Sequence, residues 1–231
     1  VASPEGGEWP NIINAGMGRR WWLDPRGPDI GDPGKWYQHN LDEAKAQLSA
    51  AGFPDGFNVN VHFSSSVYTT IVPYYDLVRQ VLGTALAPAG IRITEVPEEY
   101  GVYITTTFVN GPSEGMAFGL ESVFTDVGMY LANMFKPKDA GGGRNHSSVN
   151  DPELVRMIDD MLRETDPEAL QQKNFDIQRY VSDQMYYVPI VTPYEAGARQ
   201  PWVKGAVNVS GPTTYAVGTE GALTVWLDKQ A

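Results

Sequence analysis

The chain has 231 residues, no cysteine, and 17 Lys and Arg against 28 Asp and Glu, for a formal charge of −11. The missing cysteines exclude disulfide frameworks, thiolate catalysis and cysteine-ligated zinc. The acidic balance, with no offsetting basic cluster in the sequence, argues against a nucleic-acid partner. The length suits one large domain or two small ones, and no stretch approaches the ~18–20 uninterrupted apolar residues of a membrane span. The amino terminus begins without Met, lacks the basic-then-apolar pattern of a signal peptide, and reads as chain interior. It is expected to follow an upstream part that carries any export signal.

Residues 1–39 are rich in turn formers ("SPEGGEWP", "DPRGPDIGDPG") and are punctuated by Trp9, Trp21, Trp22 and Trp36. Rings of that size seek burial, which predicts an irregular segment wrapped on a core. Asn40 can cap a helix with Glu43 as its third residue. Leu41, Ala44, Leu48 and Ala51 then recur at helical spacing up to Gly52. After the turn "FPDG", the alternation of Phe57, Val59, Val61 and Phe63 predicts a strand.

The unit repeats. Tyr75, Val78, Leu82, Leu86 and Ala89 mark an amphipathic helix that stops at Gly90, and "IRITEV" is a second strand. Tyr100 to Val109 is expected to be helical, although its β-branched residues disfavour that state. "GMAFGLES" predicts a third strand, and "KPKDAGGGRNHSS" a flexible loop. Asp151–Pro152 and Asp166–Pro167 open two helices with Pro at the first helical position. "YVPIVTPY" and "ALTVWLD" predict short strands near the end. Helices alternating with strands give an α/β layered domain.

Candidate chemistry is sparse. A GxSxG string at Gly111–Gly115 follows helix-like residues and precedes a strand, which reverses the order of a hydrolase elbow, so Ser113 reads as a loop serine. His39, His62 and His146 show no ligand spacing, so no metal is expected. Gly141–Gly143 could cradle an anion but lacks both the P-loop ending and the strand–helix context. Glu121 and Asp126 could act on a sugar only at a separation of about 5–10 Å, which spacing alone does not establish. No cofactor motif is present.

The order of these features resembles family 5 extracellular solute-binding proteins, the oligopeptide- and dipeptide-binding components of ABC importers. "NLDEAKAQLSAAGFPDGFNVNVHF" resembles the family's helix, "PDGF" turn and strand. "YDLVRQVLGTALAPAGIRITEV" resembles the next helix–strand step, and "MAFGLESVFTD" the strand and loop usually written GW-x-x-D. The stretch from Arg144 to Tyr194 resembles the Asn-containing loop, two helices and a terminal strand. Together these pieces cover residues 36 to 196.

The resemblance implies a mixed sheet flanked by helices, as one lobe of a type II periplasmic-binding-protein fold. Residues 1–39 would be a crossover segment packed on the lobe, and residues 40–231 the C-terminal lobe, with the N-terminal lobe absent. It also implies an exported or lipid-anchored protein that is not an enzyme, binds a peptide by default or an oligosaccharide, metal chelate or other solute, and delivers it to a membrane permease. A carbohydrate-active enzyme or serine hydrolase is the alternative of another class. The aspartate that fixes a peptide's amine in the family falls on Val123, and its tryptophan on Leu120. Expected ligand contacts are Glu121, Ser122, Val123, Phe124 and Asp126, with Asn145 in a facing loop and Trp21 and Trp22 besides.

Overall fold

The computed structural model describes residues 7–66, 75–121, 124, 126–193, 200–205 and 225–228. Ser122, Val123, Tyr194 and Ala222 to Thr224, on which some of the expectations above fall, lie outside them. The chain forms two compact units. One comprises Gln38–Glu121 and Met134–Asn150 with Val1, and the other comprises Ala2–Tyr37, Ser122–Asn133 and Asp151–Ala231.

The first unit opens with α1 (Leu41–Ala50), which Asn40 caps by accepting from the Glu43 amide at 3.0 Å. Gly52, at φ 90°, ends it as predicted. Strand β2 (Phe57–Ser64) alternates as its sequence requires, with Val61 and Phe63 buried. Helix α2 (Tyr75–Leu86) runs into a 3₁₀ turn and stops at Gly90 in the left-handed region, before β3 (Ile91–Glu98). β3 and β4 (Met116–Phe118) both pair in parallel with β2, giving the order β3-β2-β4. The third strand is thus shorter than "GMAFGLES".

The segment after β3 departs from the expected regular helix. A single α-turn, α3 (Tyr100–Val102), capped by Glu99, widens into a π-helical turn over Tyr103–Phe108. Thr105 and Thr106 donate their hydroxyls back to the carbonyls of Gly101 and Val102, at 2.7 and 2.5 Å. Such back-bonding competes with the regular ladder and opens it. Around the turn, Phe63, Tyr75 and Tyr103 form a buried cluster against which Tyr100, Phe108, Phe118 and Leu120 pack.

The second unit holds β1 (Gly7–Glu8), which pairs antiparallel with β5 (Thr192–Pro193), and a second antiparallel pair, β6 (Val203–Lys204) with β7 (Trp226–Leu227). Helix α4 (Val127–Phe135) crosses the division between the units. Helices α5 (Pro152–Leu162) and α6 (Pro167–Gln184) each begin at the predicted Asp–Pro step. α5 buries Leu154, Ile158 and Met161, and α6 buries Ile177 and Val181.

α6 also buries Asn174 and Gln178, which hold the irregular amino-terminal segment in place. Both donate to the Trp21 carbonyl, at 2.7 and 2.8 Å. The Gln178 oxygen accepts from the Leu23 amide and from the side chain of Asn11. The segment is therefore fastened through its backbone, by amides that a hydrophobic-periodicity reading assigns to the surface.

Asp151 is a junction in this unit. Its Oδ1 caps α5 through the amides of Glu153 and Leu154, and its Oδ2 accepts from the hydroxyls of Tyr180 and Tyr186, both at 2.7 Å. Burial alone would raise the carboxyl pKa, but the bonds from Tyr186, Tyr180 and the two amides outweigh it and hold it below the ordinary value. In turn, the hydrogen bond to Asp151 helps push the Tyr180 hydroxyl up to about 12. Glu164 is held down to about 2, first by its hydrogen bond from Lys173 and then by the amides of Asp166 and Thr165.

Candidate functional site

In open parallel sheets, ligands sit beyond the carboxyl ends of the strands, where the order of strands reverses. In the first unit the chain passes from central β2 to β3 on one side, then returns to β4 on the other, so the reversal lies at β2. The residues at and beyond the strand ends are Ser64, Glu98 and the run Gly119–Leu120–Glu121.

The end of β4 is held rigidly. The buried hydroxyls of Tyr75 and Tyr103 both donate to the Phe118 carbonyl, at 2.6 and 3.0 Å. At Gly119 a Cβ would come within 2.5 Å of Phe108 and 2.7 Å of the Tyr103 hydroxyl, so only glycine lets the π-turn pack this closely. Two residues on, the Glu121 carboxylate accepts from the Arg144 guanidinium with one oxygen and pairs with His146 Nε2 at 2.8 Å with the other. An ionised carboxylate can only accept, so Nε2 carries the proton. His146 Nδ1 is buried and without a hydrogen-bond partner among the described residues. The imidazole stacks on Phe108, with ring centres 4.2 Å apart, and Phe108 stacks on Tyr103 at 5.6 Å.

The loop that delivers Arg144 and His146 is closely bonded, which differs from the flexible loop its glycines suggest. The amides of Gly141, Gly142 and Gly143 bond to the carbonyls of Lys138, Pro137 and Gly141, so none is left to cradle an anion. A Cβ on Gly142 would lie 1.5 Å from the Lys136 carbonyl oxygen. Asn145 is 2% exposed; its amide nitrogen donates to Lys136 and Val149 carbonyls, and its oxygen accepts from the Val149 amide. With those groups spent on its own loop, Asn145 shapes the site rather than reaching outward from it.

A second pair lies at the same end of the sheet. His62 Nδ1 meets Glu98 Oε1 at 2.6 Å, and Glu98 Oε2 accepts from Thr107 at 2.7 Å. His62 Nε2 and the Ser64 hydroxyl are buried without a hydrogen-bond partner among the described residues. Successive residues of the π-turn, Thr107 and Phe108, thus support the two His–Glu pairs. Both histidines are oriented by carboxylates while Ser113 is exposed in its loop, so no Ser–His couple forms there.

The other expected contacts belong to the second unit. Asp126 is exposed and caps α4 by accepting from the Met129 amide at 2.7 Å. Phe124 packs edge-on against Tyr130 at 5.9 Å. Trp21 and Trp22 are half-buried, with Arg20 and Arg19 over their respective rings, and Trp22 Nε1 donates to the Trp9 carbonyl. Sequence reading missed Arg144 and His146 as partners of Glu121, and Phe108 as the ring stacked on His146. No local signal links residues 23 to 38 positions apart on separate elements. Among the described residues no His, Asp and Glu group is arranged to hold a metal ion, and no helix is long and apolar enough to cross a membrane.

No model of a known protein family and no curated relative matches this sequence. Solved structures do. The oligopeptide-binding protein AppA of Bacillus subtilis, in complex with a nonapeptide, superposes with a TM-score of 0.71 at 16% identity, over 97% of this chain and 43% of its own. A putative peptide-binding protein AppA of Clostridium difficile gives 0.71 at 15%, with the same coverages. The ABC transporter-associated periplasmic binding protein DppA of Helicobacter pylori, in complex with the peptide STSA, gives 0.62 at 22%, over 84% of this chain and 35% of its own. The chain therefore spans about two fifths of the length of these proteins or less, and over that span it has their mixed α/β fold, a parallel sheet flanked by helices, of the periplasmic-binding-protein kind.

Proposed function

We propose that the chain is one lobe of an extracytoplasmic solute-binding protein serving an ABC importer, with peptides as the default cargo and no catalysis of its own. The observation that carries this reading is the superposition of 97% of the chain on less than half of two peptide-binding proteins. The resemblance of residues 36 to 196 to family 5 supports it independently, and it makes the chain the C-terminal lobe. The upstream lobe supplies the rest of the cleft, closure of the two on ligand shifts an open–closed equilibrium, and membrane permease subunits read the closed form. The protein then works in the periplasm or at the cell surface. The proposed ligand contacts of this lobe, on the family resemblance, are Glu121, Ser122, Val123, Phe124 and Asp126, with Trp21 and Trp22 besides.

Native mass spectrometry of the full-length protein tests the reading. A co-purified mass that fragments as a peptide is the expected result. A fragmentation pattern of hexose units identifies an oligosaccharide receptor instead. Turnover of a peptide or glycoside on incubation would overturn the non-enzymatic assignment.

A further inference from the structure

We draw no further inference here: the strongest candidate, the buried Ser64 hydroxyl and His62 Nε2 at the carboxyl end of β2, each without a hydrogen-bond partner among the described residues, belongs to the site already described, and nothing in the structure shows what group meets those two atoms.

Discussion

Asn145 and Asp151 show how a single side chain can do structural work that its sequence context hides. Asn145 stands in a glycine-rich loop, where an amide would be taken for a surface group, yet it is buried and makes three hydrogen bonds. Asn145→Ala is expected to cost about 2–4 kcal/mol in urea denaturation, because a buried carbonyl and amide are left without partners. Asp151 was legible as a helix cap from its Asp–Pro step, but its two tyrosine partners lie 29 and 35 residues away and were not. Asp151→Asn keeps the cap acceptor and loses the charge, for about 1–2 kcal/mol at neutral pH. The same residue gives a pH dependence with a definite sign. Asp151 and Glu164 both have folded-state pKa values below their ordinary 3.8 and 4.5. As acid is added the unfolded chain takes up these protons first, so the stabilisation is complete above about pH 4.5 and is lost as pH falls toward about 2. Denaturation midpoints measured across that window should fall steeply in the parent and less steeply in Asp151→Asn.

Element by element, local signals served where the chain makes its own bonds. The caps at Asn40, Asp151 and Asp166, the stops at Gly52 and Gly90, and the alternation of β2 are all written within a few residues. The π-turn was not legible, since it depends on threonine hydroxyls bonding back to carbonyls in a segment already biased against a regular helix. The loop from Pro137 to Val149 was misleading for a similar reason: composition reports the conformational freedom of glycine, while the fold uses its small size at Gly142. Hydrogen exchange offers a check at this scale. The amides of Gly142, Asn145 and Val149 are expected to exchange more slowly than those of the exposed turn at Ser113 and Glu114. Equal rates would mean that the loop is as free as its glycines imply.

At the level of the molecule, the sheet order and the fold it shares with longer binding proteins set the limits of what this chain does by itself. On the proposed reading this chain supplies only part of a cleft and so fewer contacts, and calorimetry on the 231-residue chain with Ser-Thr-Ser-Ala should find weak or undetectable binding; a sub-micromolar Kd would show that it suffices by itself. The candidate site was only partly legible in the sequence. Glu121 could be found from the run that ends in it, but its partners could not, because Arg144 and His146 reach it only through the fold. One feature of that fold also bears on how the chain tolerates changes in length. A π-turn amounts to one residue more than an α-helix needs over the same span. Deleting Thr105 should therefore heal the turn into ordinary helix and leave the positions after it close to where they stand, because the turn absorbs the surplus residue locally. Thr107 and Phe108 lie inside the turn, and redrawing it should disturb their contacts with Glu98 and His146. Such a variant should fold and yet weaken both His–Glu supports, visible as two altered imidazole spectra. The helix would be more regular and the strand ends less ordered, so this single surplus residue trades local regularity for the arrangement at the sheet's edge.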